Sequence, residues 1–191
     1  MKRVLIGAAL AFTALAATPA FAALAVGSTA PAVKGSAYVD GKATPFDMAA
    51  ALKKGPVVLY FFPGAYTAGC NIEAKAFAEA ADKYKAAGAT ILGVTGGFGT
   101  SDHTGPAFTS LDAAVKEFST THCNGKFPVM AASADVITAY DSALAARPGW
   151  SNRTSYVVAP DGKIALSYVN ASPAGHVDET LKAVEALKGK K

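Results

Sequence analysis

Cysteine and histidine are scarce in this chain: two cysteines and three histidines among 191 residues. The two thiols, Cys70 and Cys123, form neither a C-x-x-C nor a C-x-x-x-C pair, and His103, His122 and His176 are scattered with no H-x-x-x-H spacing. Metal sites built from such residues need close, regular spacing, so no metal and no cofactor are expected. Charge is sparse as well. The net charge is +4, of which Lys2 and Arg3 supply two, and no basic stripe appears apart from the tail Lys188-Gly189-Lys190-Lys191. A tail of this kind reads as a solvated helix end, and nucleic-acid binding has no other support. There are no internal repeats and no linker long enough to divide the chain.

The first residues read as a targeting signal. Lys2 and Arg3 form a positive start, Val4 to Ala17 is apolar, and Ala20-Phe21-Ala22 is an A-x-A cleavage site. Residues 1–22 are therefore expected to be a signal peptide, leaving one domain over 23–191. The apolar stretch is short for a membrane span, so a periplasmic or secreted protein with no stable membrane insertion after cleavage is expected. In oxidising compartments two cysteines often form one disulfide, which keeps a static Cys70–Cys123 staple in view.

The periodicity predicts an α/β domain. Asp40-Gly41 marks a hairpin between Ser36–Val39 and Ala43–Pro45, followed by a short helix over Phe46–Lys53. Val57–Phe62 and Ala89–Thr95 read as buried strands. Between them Asn71–Ala87 reads as a helix, with Ile72, Ala76, Phe77, Ala80 and Tyr84 on its inner face and Gly88 as its cap. Gly96–Pro106 is a glycine-rich loop. Helices are expected over Leu111–Phe118 and Asp135–Ala146. Thr154–Ala159 and Lys163–Val169 flank the turn Pro160-Asp161-Gly162. A last helix starts at Ser172-Pro173, with Val177, Leu181, Val184 and Leu187 inward.

Chemistry concentrates in Tyr60-Phe61-Phe62-Pro63-Gly64-Ala65-Tyr66-Thr67-Ala68-Gly69-Cys70-Asn71-Ile72-Glu73. An apolar strand ends at Pro63, a short loop follows, and Cys70 falls where a helix begins. Free N–H groups and the positive end of the helix dipole favour thiolate over thiol there. The spacing Pro63-x-x-x-Thr67-x-x-Cys70 resembles the active-site motif of peroxiredoxins, the thiol peroxidases of the thioredoxin-like superfamily. The resemblance runs from about Val26 to Leu187. It includes the opening Val26-Gly27-x-x-Ala30-Pro31 and Asp40-Gly41-Lys42. It is nearest the bacterioferritin comigratory protein, or Q-type, branch, which also carries Gly before the cysteine and Glu three residues after it.

The resemblance implies a thioredoxin-like fold with a central mixed sheet, flanking helices and an N-terminal hairpin. It further implies a thiol peroxidase, exported if residues 1–22 are a signal peptide, that reduces hydrogen peroxide or small organic hydroperoxides and is recycled by a thioredoxin-like protein or a small thiol. Cys70 would be the nucleophile and pass through a sulfenic acid. Thr67 would donate to the peroxide, and as a threonine it is also a natural N-cap. Pro63 would shield the thiol, and Arg153 would bond the peroxide and favour the thiolate. Glu73 would hold an arginine in place. Arg147 is the rival for the arginine role.

Cys123 lies in a polar, turn-rich stretch suited to a mobile resolving thiol, although Q-type enzymes often place that thiol five residues after the nucleophile, where this chain has Lys75. A one-cysteine mechanism and the static bridge therefore stay open beside it. His122, beside Cys123, could aid thiol activation but is expected at the surface, and Trp150 reads equally as core packing or substrate wall. The other readings are a thiol–disulfide oxidoreductase, which would want a cysteine where Thr67 stands, and a non-enzymatic stapled binding domain. Monomer and homodimer both remain possible.

Overall fold

The five residues Val57–Phe61 are fully buried, a burial that a strand reaches only when both faces of its sheet are covered. The computed structural model describes residues 23–189; the expected signal peptide over 1–22 and the last two lysines lie outside the described residues. The elements run β1 Lys34–Val39, β2 Lys42–Asp47, α1 Met48–Leu52, β3 Val57–Phe61, α2 Ala68–Ala86, β4 Thr90–Thr95, α3 Leu111–Thr121, β5 Val129–Ala131, α4 Ala134–Ala139, β6 Thr154–Val158, β7 Ile164–Val169 and α5 His176–Lys188. The strands form one sheet in the order β2-β1-β5-β4-β3-β6-β7. Strand β3 pairs in parallel with β4 and antiparallel with β6, so the sheet is mixed, with the N-terminal hairpin at one edge.

Alternate residues of β3 serve two cores. Val58 and Tyr60 pack with Phe77 and Tyr84 of α2, Phe118 of α3 and Val184 of α5. Val57, Leu59 and Phe61 pack on the other side with Met48, Ile137, Tyr140 and Tyr156. Both Cys70 and Cys123 belong to the first of these cores.

Several boundaries move from their sequence expectation for physical reasons. Asp40 and Gly41 both take positive φ, 50° and 71°, the conformation a two-residue hairpin turn requires. Phe46 is a strand residue, and the first helix waits for Asp47, whose carboxylate accepts from Ala49 N and Ala50 N. Helix α2 starts at Ala68, three residues earlier than expected, which places Cys70 inside its first turn. Ile72, expected on the inner face, is 62% exposed; Phe77, Ala80 and Tyr84 face inward as expected, and Cys70, Glu73 and Ala74 lie inward with them. The expected helix over Asp135–Ala146 ends at Ala139, and Asp141 turns left-handed at φ 49°. The last helix begins at His176 behind Gly175 at φ 90°, so Pro173 sits in the preceding turn rather than in the helix.

The core opposite α2 lends itself to a direct check. Leu59 is fully buried among α1, α4 and β6 side chains. Leu59→Ala is expected to cost about 2–5 kcal/mol, the usual range for a leucine truncated in a packed interior, read as a fall in the urea unfolding midpoint. A loss under ~1 kcal/mol would show that this core is loosely packed.

Candidate active site

Cys70 is the third residue of α2 and is completely buried. Thr67 occupies the N-cap position in extended conformation, yet its hydroxyl makes no capping bond. It donates instead to Gly64 O at 2.9 Å. The capping duty expected of this side chain is thus absent, because the tight turn from Pro63 offers the hydroxyl a carbonyl three residues back. The oxygen keeps its lone pairs for another donor. Pro63 is half-buried just beyond β3, and its carbonyl accepts from Thr95 Oγ1 at 3.3 Å.

Arg153 stands immediately before β6 and is 8% exposed. Its guanidinium reaches three acceptors. Nε donates to Ala171 O at 3.0 Å, Nη1 to Glu73 Oε2, and Nη2 to Cys70 Sγ at 3.5 Å. A charged donor held at a sulfur stabilises negative charge on it. Gly69 makes the approach possible, since a Cβ there would lie 3.1 Å from Nη2. Arg147 is remote from this arrangement: it is exposed and lies over the Trp150 ring at 4.0 Å. Trp150 is half-buried against Gly64 and Gly97, where any added Cβ would strike the indole. It therefore packs over the loop that leads to Cys70.

Glu73 is completely buried. Burial pushes its carboxyl up, while the Arg153 guanidinium opposes that push by favouring the ion. On the Arg153 side the carboxylate and thiol hold the guanidinium firmly charged, against the cost of burial. The first segment of the glycine-rich loop is tied to the same region: Ala65 N donates to Gly97 O, and Gly99 N and Ser101 N donate to Ala65 O and Tyr66 O.

Cys123 departs from expectation. The turn-rich stretch does follow α3, but the thiol is fully buried and not in open chain. Apolar contacts of the interior outweigh the polar residues on either side of it. Burial pushes the Cys123 thiol well up, with the Tyr60 hydroxyl facing it. Both thiols are free. Lys75 is exposed on the outer side of α2.

His122 also departs from its expected surface placement. His122 is 8% exposed, packed between Tyr66 and Phe118. The His103 side chain is 5% exposed and lies 3.3 Å from Glu117 Oε1. His176 is completely buried behind Glu73. A histidine opening an amphipathic helix gives no sequence signal of such burial. Among the described residues no group of three or more His, Cys, Asp or Glu side chains is placed to hold a metal ion.

Residues 26–167 match the AhpC/TSA family. The chain belongs to this family. A chloroplastic peroxiredoxin Q of Sedum lineare is 31% identical over 147 residues, covering 71% of this chain and 67% of that protein. One from Suaeda salsa is 32% identical over 136 residues, covering 71% of this chain and 58% of that protein. These relatives place the chain in the Q-type peroxiredoxin branch, and it spans only about 58% of the second relative's length. The crystal structure of peroxidoxin BcpB from Mycobacterium tuberculosis superposes with a TM-score of 0.67 at 24% identity, covering 85% of this chain and 97% of that one. That likeness shows the thioredoxin-like fold.

The buried His176 makes a pH prediction. Burial holds its pKa down, from 6.5 to about 4. A histidine depressed in the folded state contributes stability that is full above its unfolded value and is lost as pH falls toward the folded one. The His176 contribution to the unfolding free energy is therefore expected to drop as pH falls from 6.5 to about 4, with His122, also depressed by burial, adding in the same direction, while the Glu73 carboxyl, pushed up by burial to about 8, acts in the opposite sense. His176→Asn should flatten the drop. Equal slopes in urea titrations of the two proteins would contradict it.

Proposed function

We propose that this protein is a thiol peroxidase with Cys70 as its nucleophile. The observation that carries the reading is the Arg153 Nη2 donor 3.5 Å from Cys70 Sγ at the start of α2. The Cys70 thiolate attacks one peroxide oxygen, the O–O bond breaks, and the leaving oxygen takes a proton to depart as water or alcohol. The product is a Cys70 sulfenic acid. Arg153 and the Thr67 hydroxyl supply positive or hydrogen-bonding character where charge develops on the two oxygens. Pro63 keeps the loop before the thiol stiff. Glu73 orients Arg153 and does not touch substrate.

In the fuller cycle, the Cys123 thiol condenses with the sulfenic acid, releasing water and forming a Cys70–Cys123 disulfide. A thioredoxin-like protein or a small thiol then reduces it, two thiols being oxidised for each disulfide opened. The burial of Cys123 favours a second reading, in which an external thiol attacks the sulfenic acid directly. A thiol–disulfide oxidoreductase is the less favoured function, because Thr67 stands where such an enzyme needs its partner cysteine, and a permanent staple is disfavoured by the two free thiols. The site of action is proposed to be the periplasm or the exterior, after removal of residues 1–22.

Intact mass with thiol alkylation, before and within a second of one equivalent of hydrogen peroxide, tests the cycle. The expected result is rapid loss of the Cys70 thiol, with Cys123 consumed only if it resolves. Cys70→Ser should abolish peroxide consumption, and Arg153→Met should slow it by about 10²–10³-fold, the usual effect of removing one positioned donor. If wild-type Cys70 reacted no faster than free cysteine, the peroxidase reading would fall.

A further inference from the structure

His176 takes no part in the chemistry above, yet it is fully buried directly behind Glu73. Its hydrogen bonds fix its tautomer. Nε2 lies 3.0 Å from Asn170 O, an atom that only accepts, so Nε2 carries the proton. Nδ1 is then bare and accepts from the Ser155 hydroxyl at 2.8 Å. The Tyr168 ring meets the imidazole edge-on, centroids 4.8 Å apart, closing it against rotation.

Two consequences reach Arg153. The first is anchorage. The His176 Nε2–H pins Asn170 O, and the next residue in the chain is Ala171, whose carbonyl accepts Arg153 Nε at 3.0 Å. The segment between β7 and α5 has exposed side chains at Ala171 and Ser172 and little apolar packing of its own. Its carbonyl stays in place through the His176–Asn170 bond, the Asn170 N–H donated to Arg153 O at 3.3 Å and the local turn in which Ser172 N donates to Asn170 Oδ1.

The second consequence is electrostatic. The bare Nδ1 sits 3.6 Å from Glu73 Oε1, and that oxygen has no hydrogen-bond partner. Glu73 therefore directs its charge through Oε2 to Arg153 Nη1. A protonated or flipped imidazole would offer Oε1 a competing donor and draw the carboxylate from the guanidinium. The Asn170 bond and the Tyr168 ring oppose a flip, and burial disfavours the protonated ring at neutral pH.

We propose that His176, held as its Nε2–H tautomer by Ser155 and Asn170, is a positioning residue that sets Arg153 against the Cys70 sulfur from behind. The proposal rests on reading Cys70 as the nucleophile and Arg153 as its cationic partner. Its groups come from three elements and their borders: Glu73 on α2, Ser155 on β6 with Arg153 just before that strand, and His176 on α5.

The test follows alkylation of Cys70 by iodoacetamide across a pH series, quantified on the Cys70 peptide by mass. Three single variants are compared: His176→Leu, which removes both ring nitrogens; His176→Gln, which returns a donor toward Asn170 O; and Ser155→Ala, which removes the hydroxyl that holds Nδ1. His176→Leu is expected to slow alkylation at neutral pH by about tenfold, equivalent to one pH unit of displacement, and to move the profile to higher pH. His176→Gln should recover part of that loss, and Ser155→Ala should fall between. The rate constant for peroxide should drop in parallel.

A wild-type profile in His176→Leu, with only its melting temperature changed, would overturn the proposal. If His176→Leu does not fold, Ser155→Ala decides, and a wild-type profile there overturns it equally. Alkylation needs no peroxide, so a wild-type Cys70 inert to peroxide would end the peroxidase reading while leaving these profiles to judge His176.

Discussion

The buried ion pair between Glu73 and Arg153 is the constraint around which the site is organised. A carboxylate and a guanidinium removed from water must find each other, and depriving one of its partner costs about 3–5 kcal/mol. A helix N-terminus offers an anion about 0.3–1 kcal/mol, reaching ~2 in partly buried cases. The ion pair therefore dominates the placement of α2 relative to β6, and the helix end adds to it. Because the guanidinium is a planar fork with five donors, fixing Nε and Nη1 fixes the direction of Nη2, and that direction ends at Cys70 Sγ.

The fold brings these groups together through strand register. Phe61 pairs with Val94 in the parallel neighbour and with Thr154 in the antiparallel one. The carboxyl ends of β3 and β4 and the amino end of β6 thus meet at one edge, where open α/β sheets leave their crevice. Arg153 is the residue before β6, and Pro63–Thr67 carries the chain from β3 into α2. The Ser151 hydroxyl donates to Phe62 O at 2.6 Å, which ties the approach to Arg153 directly to the strand that delivers Cys70. Gly69 and Gly64 leave room for the guanidinium and the Trp150 ring on either side of that loop.

What could be read from the sequence follows the reach of local rules. The run Val57–Phe62, the turn after it and the helix holding Cys70 are local features, and each is found near its expected place. Arg153 was legible only through resemblance, since 83 residues separate it from Cys70. The inner face of α2 departs from its expectation only at the N-terminal end, where Glu73 lies on the buried stripe. Hydrophobic periodicity sets a glutamate outside, so the stripe was drawn through Ile72, which is exposed. His176 and Cys123 escaped for the same reason: their burial is decided by partners distant in sequence. A polar run such as Thr121–Lys126 reads as open chain even when one of its side chains is drawn into the core.

That last placement separates the proposed cycle into two steps with opposite requirements. Attack on peroxide needs the closed arrangement, with Arg153 already at the sulfur. Attack by Cys123 on the sulfenic acid needs its thiolate, which burial disfavours, so the closed arrangement is the unreactive one for that step. Release of Cys123 requires the turn to give way. Its backbone is held by Cys123 N to Phe118 O at 3.2 Å, Gly125 N to Ser119 O at 2.9 Å and Lys126 N to Cys123 O at 2.9 Å, and Asn124 and Gly125 both take positive φ. A turn with three backbone bonds and a left-handed pair at its tip is a unit able to open without unfolding the sheet. On this chemistry the lifetime of the sulfenic acid is set by the opening free energy of that turn, and an external thiol competes for it only as long as the turn stays shut.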